Sequence, residues 1–234
     1  MRRHGVDSYD LFYELLTKGS DPKYWNDFVD EVTVHQSSFF REKKHFEYIR
    51  SQLRSIFETN RRITRNNEIK IWSAGCSTGE EPYTLAMILK EWLPPGISIK
   101  ILATDVSSRT LAAAQTGNYR LNGIKKEMDP YYVTTYFNRT EEIYEIKPIL
   151  KEMITFRLFN LMDAFSFKDT FDMIFCRNVM IYFDLEVQQN LINKFYEILI
   201  PGGLLFIGHS ETLINKRHSF QYVQPAIYLK QGQT

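Results

Sequence analysis

The run Trp72-Ser73-Ala74-Gly75-Cys76-Ser77-Thr78-Gly79-Glu80-Glu81 joins an apolar stretch that starts at Ile69 to an amphipathic one that ends near Trp92. A glycine turn between a strand and a helix aims backbone N–H groups and a helix N-terminus at a ligand. Two common occupants are excluded. No Lys-Ser or Lys-Thr follows Gly79, so a triphosphate clamp is absent, and Gly75-x-x-x-Gly79 lacks the GxGxxG spacing of a dinucleotide site. Glu80 and Glu81 also stand where a pyrophosphate would need positive potential. These carboxylates attract a cation instead, and S-adenosylmethionine carries a sulfonium and an ammonium but no phosphate. Asp105 closes the next apolar run, Ile97 to Thr104, where a carboxylate accepts hydrogen bonds from ribose hydroxyls. Taken singly, the two glutamates could merely complement the helix dipole and Asp105 could cap the following helix. Together they favour the cofactor.

The elements that must position these residues follow from periodicity. Asp21 to about Arg65 is helical: Trp25, Phe28, Val29 and Val32, then Phe46, Ile49, Leu53, Ile56 and Phe57, recur at three-and-four spacing around a joint near His35-Gln36-Ser37-Ser38. Between Arg41 and Arg65, eight cations face three carboxylates, either as a solvated helix face or as an electrostatic guide for an acidic partner. Strand, turn and helix then alternate: Ile69–Ser73 with Glu80–Trp92, Ile97–Thr104 with Ser108–Thr116, Phe171–Cys176 with Leu185–Leu199. Pro201-Gly202-Gly203 turns into Leu204–Gly208, and a last strand pair falls between Phe220 and Leu229. Such alternation predicts a mainly parallel sheet covered by helices on both faces. Asp129 to Phe159 breaks the rhythm with short alternating runs, Ile143–Ile146 and Ile154–Arg157, and reads as an inserted β-hairpin unit.

The 234 residues suffice for one α/β domain with a small appendage, and 44% hydrophobic residues suffice for a core. The formal charge of +1 excludes a protein held to nucleic acid mainly by phosphates. No apolar run approaches the roughly 20 residues that span a bilayer, and no signal-peptide core follows Met1-Arg2-Arg3-His4, so a cytoplasmic protein without membrane insertion is expected. Cys76 and Cys176 lack metal or disulfide spacing and read as reduced, packed thiols. No ligand spacing links His35, His45 and His209, and no metal is expected.

Four runs in order resemble the CheR-type chemotaxis receptor methyltransferases: Trp72 to Tyr83, Ala103-Thr104-Asp105, Cys176 to Phe183, and Gly202 to Glu211. The resemblance spans roughly Thr33 to Leu213. It implies a Rossmann-like class I S-adenosylmethionine-dependent methyltransferase fold with a helical N-terminal region, here shortened to residues 1–65. A methyltransferase domain over 66–234 follows, with an inserted antiparallel β-subdomain at about 129–159. The implied reaction moves a methyl group from S-adenosylmethionine to glutamate carboxylates in the cytoplasmic methylation region of chemoreceptors and leaves S-adenosylhomocysteine. A monomer is expected.

Residue roles follow from the same likeness. His35, Ser37 and Arg41 precede or close the Phe-Phe-Arg motif and would reach the cofactor, together with Gly75, Gly79, Glu81, Asp105, Asn160, Leu161, Arg177 and Asn178. Tyr182 would stand beside the methyl group, and an arginine just before the first strand, Arg65 or Arg62, would help hold the substrate carboxylate. Where the family usually has Asn and Thr, this chain has His35 and Ser37. Two other readings share parts of the pattern. A methyltransferase for a small molecule or RNA would share the sheet and Asp105, and a non-catalytic S-adenosylmethionine sensor would keep the pocket without methyl transfer.

Overall fold

A computed structural model describes residues 6, 8–18, 22–33, 35–59, 61–120, 124, 128–214 and 216–232; the side chains of Arg54, Arg61 and Arg62 lie outside the described residues. Four helices come first: α1 (Tyr9–Thr17), α2 (Pro22–Val32), α3 (Lys43–Thr59) and α4 (Arg61–Asn66). In α3 the residues His45, Phe46, Ile49 and Leu53 are buried at helical spacing, while Lys43, Lys44, Glu47 and Arg50 are exposed. Arg50 lies over the Trp92 ring, 5.6 Å from its centroid, so part of the basic face also packs locally.

The remaining elements are β1 (Glu68–Ala74), α5 (Glu80–Trp92), β2 (Ser98–Asp105), α6 (Ser108–Thr116), β3 (Asn118–Arg120), α7 (Pro130–Tyr136), β4 (Phe137–Arg139), β5 (Ile143–Ile146), α8 (Pro148–Lys151), β6 (Ile154–Leu158), β7 (Phe171–Cys176), α9 (Leu185–Ile198), β8 (Leu199–Ile207), β9 (Phe220–Gln224) and β10 (Ile227–Lys230). A seven-stranded sheet runs β6-β2-β1-β7-β8-β10-β9. Strands β6, β2, β1, β7 and β8 are parallel, and β10 returns antiparallel to both β8 and β9. This is the expected Rossmann-like sheet with an antiparallel pair at one end.

Alternation splits each central strand between two cores. Ile69, Ile71, Met173, Phe175, Leu204 and Phe206 join α3, α5 and the insert on one face. Trp72, Ala74, Ile174, Cys176, Leu205 and Ile207 join α9 and a cluster of phenylalanines on the other. Because both faces are covered, β7 is buried at every position and reads as a continuous apolar run. The Trp72 indole is fully buried and donates to Thr104 Oγ at 2.9 Å, which satisfies its polar edge.

The insert differs from its predicted bounds. It begins at β3, and a three-stranded antiparallel sheet, β3-β5-β4, forms between α6 and β6. Ile154–Leu158 does not belong to it: this run is the edge strand β6 of the large sheet, paired parallel with β2 from Ile101↔Ile154 to Asp105↔Leu158. Pro201-Gly202-Gly203 likewise lies within β8, where the pairing with β7 jumps from Phe171↔Leu199 to Met173↔Leu204.

Candidate active site

The strand order reverses between β1 and β7, which opens a crevice at their carboxyl ends. A cavity of about 350 Å³ occupies it, within the range of small-ligand sites. The glycine turn, the ends of β2 and β7, the residue 35–41 segment, α2, and the loop after β6 all reach it.

Gly75 starts the turn at φ +85°, and the N–H groups of Gly75 and Cys76 both donate to Thr104 O at 2.8 Å, locking β1 to β2. Ser77 follows at φ +50°, its N–H donating to Asp105 Oδ2 at 2.8 Å, and the second carboxylate oxygen accepts the Ser107 N–H at 3.0 Å. Asp105 therefore braces the turn and the start of α6. An ionised carboxylate accepts at about four lone-pair sites, so it retains capacity for ribose hydroxyls.

Two buried polar atoms in the cavity wall have no partner, Ser77 Oγ and Asn178 Oδ1. Both belong to residues held at positive φ, 50° for Ser77 and 59° for Asn178. Buried polar groups are normally paired, so these two belong to a wall shaped for a polar ligand. The surrounding charges suit the amino-acid end of S-adenosylmethionine, which offers an ammonium and a carboxylate: Glu81, Arg177 and Arg41 all line the cavity. The apolar side chains of Val29, Val32, Val106, Phe159 and Leu161 supply walls for a flat base. The residues present thus fit the cofactor that the sequence implied.

The electrostatic centre is Arg177, 7% exposed at the tip of β7. Its Nη1 donates to Glu81 Oε2 at 3.0 Å, and its Nε and Nη2 donate to Glu42 Oε2 at 3.1 and 3.0 Å. Nη2 also reaches Arg41 O. Glu81 Oε1 accepts from Ser73 Oγ at 2.7 Å, and Glu42 Oε1 accepts the His209 N–H at 3.1 Å. One guanidinium thereby ties β1, α5, β7, the segment before α3 and the turn after β8 into one buried cluster. Burial pushes the Glu42 carboxyl up, but Arg177 and the His209 N–H outweigh it and hold the group below the usual carboxylate range.

Of the residues singled out in the sequence, His35, Ser37, Arg41, Gly75, Glu81, Asp105, Asn160, Leu161, Arg177, Asn178 and Tyr182 line one cavity. Gly79 caps α5 against Ala114 and Tyr119 instead of lining it. Glu80 is buried beside the Thr78 hydroxyl and stays out of the cavity, so the cation-attracting role falls to Glu81 alone. Arg65 does not reach the site. It is exposed at the end of α4, ahead of β1, whereas the cavity opens beyond the far end of that strand. Seven residues at about 3.3 Å each put roughly 23 Å between the two ends. The Arg62 side chain lies outside the described residues, and its backbone is on the same short helix. Among the described residues, the arginines that reach the cavity are Arg41 and Arg177.

Sequence reasoning missed Glu42 and the α2 wall. Val29 and Val32 enter the sequence pattern only through the helical stripe, and Glu42 only as one of three carboxylates in the basic run. Among the described residues, Glu42, His45 and His209 bring one potential metal ligand each within 4.8 Å of one another. Arg177 and the His209 N–H already occupy both Glu42 oxygens, and the guanidinium would repel a cation, so the trio belongs to the ionic cluster.

His45 is fully buried, neither ring nitrogen makes a hydrogen bond, and Nδ1 lies 3.6 Å from Glu42 Oε2; burial and Arg177, against the attraction of Glu42, lower its pKa from 6.5 to about 3, and His209 adds to the lowering. The folded state holds it neutral. A group with a depressed folded pKa stabilises fully above its unfolded pKa and loses that contribution as pH falls toward the folded value. Unfolding in urea should therefore show about 2 kcal/mol lost between pH 7 and pH 5 from this residue. His45→Gln should remove that part of the slope, and an unchanged slope would refute the assignment.

Burial pushes the Cys76 and Cys176 thiols well up, so both are protonated and inert, and both are free. Among the described residues no helix is long and apolar enough to cross a membrane.

Comparison with known proteins agrees with this geometry. Residues 35–229 match the family described as CheR methyltransferase, SAM binding domain. The chain is 39% identical over 231 residues to the chemotaxis protein methyltransferase of Borreliella burgdorferi, covering 97% of this chain and 81% of that protein. It is 33% identical over 235 residues to the chemotaxis protein methyltransferases of Salmonella typhimurium and of Escherichia coli, in each case covering 97% of this chain and 78% of the relative. The matched range holds every cavity residue from His35 to Phe183, and the chain belongs to the CheR methyltransferase family.

Proposed function

We propose that this cavity transfers a methyl group from S-adenosylmethionine to glutamate side chains of chemoreceptors, making glutamyl methyl esters in chemotactic adaptation. The observation that carries the reading is Tyr182: it lines the same cavity as Asp105, Glu81 and Arg177, yet is 59% exposed at the rim. A phenol placed between a cofactor pocket and solvent meets an incoming side chain. The enzyme works on the cytoplasmic part of its receptors, as a monomer, with no nucleic acid involved.

Bound S-adenosylmethionine supplies an electrophilic methyl carbon on a cationic sulfur. A glutamate, with a reference pKa of about 4.3, is ionised at neutral pH, so its oxygen forms the new C–O bond as the C–S bond breaks, and no general base is needed. The residues of this chain then have two tasks, alignment and exclusion of water. Asp105 would hold the ribose end of the cofactor and Glu81 its ammonium, with Arg177 fixing the Glu81 carboxylate at 3.0 Å. Tyr182 donates to the acceptor carboxylate, and Arg41, whose Nη1 donates to Gln36 O at 2.9 Å, keeps its other donors for the same group. Arg177 is committed to Glu42 and Glu81, which leaves Arg41 as the substrate-side arginine. Phe183, Val179 and Phe159 dry the reacting end.

Incubating the protein with a receptor cytoplasmic fragment and methyl-labelled S-adenosylmethionine should give label that mild alkali releases as methanol. Base-stable label would move the reaction to a nitrogen acceptor. Tyr182→Phe should lower kcat about 10- to 100-fold while cofactor affinity holds within threefold, because the hydroxyl acts on the acceptor. Parallel loss of cofactor binding would make Tyr182 a pocket wall.

A further inference from the structure

The loop that carries Tyr182 leaves the tip of β7 without regular pairing. Asn178 is held at φ +59°, and Met180–Tyr182 form a single 3-10 turn. Such a segment exposes backbone N–H groups that must find acceptors. One side chain accepts three of them, while the Tyr182 and Phe183 N–H groups close the turn on Val179 O and Met180 O. Glu211 accepts the N–H of Asn178 at 3.0 Å through Oε2, and those of Val179 and Ile181 at 3.0 and 3.2 Å through Oε1. Oε2 also accepts the Gly208 N–H, which fastens the carboxylate to the end of β8. From the opposite side the Gln188 amide donates to Met180 O at 2.9 Å and Phe183 O at 2.8 Å.

We infer that Glu211 is a positioning residue for methyl transfer, acting as a four-point carboxylate clamp that sets where Tyr182 stands over the cavity. Tyr182 is largely exposed, so packing does little to place its ring; the backbone places it. Charge matters as well as shape, because an ionised carboxylate accepts at both oxygens without offering a donor, and hydrogen bonds to a charged acceptor are the stronger kind. A Gln of equal size would turn two N–H donors toward backbone N–H groups and break part of the clamp. Displacement of a reacting or orienting group by about 1 Å costs on the order of 100-fold in rate.

The inference rests on Tyr182 acting on the acceptor, and the experiment separates the two. Glu211→Gln, Tyr182→Phe and the double variant are assayed for kcat on a receptor fragment, with S-adenosylmethionine affinity measured by calorimetry to confirm a folded pocket. Glu211→Gln should lower kcat 10- to 100-fold in the parent, and by less than threefold when Tyr182 is already Phe. Equal losses in both backgrounds would overturn the clamp's action through Tyr182. If Tyr182→Phe alone costs nothing, the role of the tyrosine fails first, and the clamp's with it. Should Glu211→Gln not bind the cofactor, Glu211→Asp provides the reading: it keeps the charge, draws the carboxylate back by one methylene, and should show the same dependence on Tyr182. An Asp variant as fast as the parent would also refute the proposal.

Discussion

Replacing Arg177 by Met should lower the stability of the free protein by about 3 kcal/mol and its Tm by roughly 6–12 °C, as read by urea and thermal unfolding. The reason is what the substitution leaves behind. Glu42 and Glu81 keep side chains only 13% and 12% exposed, and each loses its cation. Breaking a buried ion pair from one side costs about 3–5 kcal/mol because the surviving charge is neither solvated nor paired. The low end applies here, since the His209 N–H and the Ser73 hydroxyl still serve one oxygen of each carboxylate.

The pH response of that variant is diagnostic. Removing Arg177 takes away the main influence that lowers the Glu42 carboxyl, so its pKa rises relative to the parent. A carboxyl raised relative to the parent favours the variant at low pH and loses that contribution as pH rises. The deficit of the Met variant relative to the parent should therefore shrink as pH falls from 7 toward 5. Adding Glu42→Gln and Glu81→Gln to the Met variant should recover part of the loss at neutral pH, because an uncharged cluster costs less to bury. A variant within 1 kcal/mol of the parent at pH 7, or a triple variant no better than the single, would show that the ion cluster adds little to stability.

The parallel sheet was readable because its central strands appear as apolar runs between turn or helix signals: Ile69–Ser73, Ile97–Thr104 and Phe171–Cys176 each fall within an observed strand or one residue of it. Edges and interruptions were not. Strand β6 borders only β2, with Ile154 buried, Phe156 half-buried and Thr155, Arg157 and Leu158 exposed, so it lacks the apolar run of a central strand, and β3 is three residues long, too short to show any period. The site divides similarly. Residues inside contiguous motifs, from Gly75 to Glu81 and from Arg177 to Tyr182, were legible because one turn or one strand end delivers them together. Arg65 was misplaced because nearness in sequence to β1 says nothing of which end of the strand faces the ligand, and strand direction decides that. The Glu42–Arg177–Glu81 cluster joins three segments that no periodicity relates, and only the folded sheet brings them into contact. Glu211 has the same character: nothing about a Glu after Gly208-His209-Ser210 announces that it closes a loop 30 residues earlier in the chain.

Gly75→Ala should weaken S-adenosylmethionine binding more than tenfold, and steric argument locates the cause in one methyl group. A Cβ on Gly75 would lie 2.5 Å from Val179 Cγ2, closer than carbon atoms approach. Val179 cannot yield freely, because it is β-branched and its N–H is held by Glu211 Oε1 at 3.0 Å. The added methyl must therefore push apart the glycine turn and the Asn178–Tyr182 loop, which form two walls of the cavity. The residue also sits at φ +85°, where a side chain costs about 1–2 kcal/mol by itself. Gly202 separates the two contributions. It has a similar φ of +80° but open space around its own Cβ direction, so Gly202→Ala carries the strain without the collision and should leave cofactor affinity unchanged. Trimming the other partner completes the argument: Val179→Ala removes Cγ2, and the Gly75→Ala/Val179→Ala pair should regain a substantial part of the lost affinity. Calorimetric titration of the four proteins with S-adenosylmethionine decides it. Affinity within threefold of the parent for Gly75→Ala, or no recovery in the pair, would mean that the turn and the loop are not in the tight register that joins cofactor binding to the placement of Tyr182.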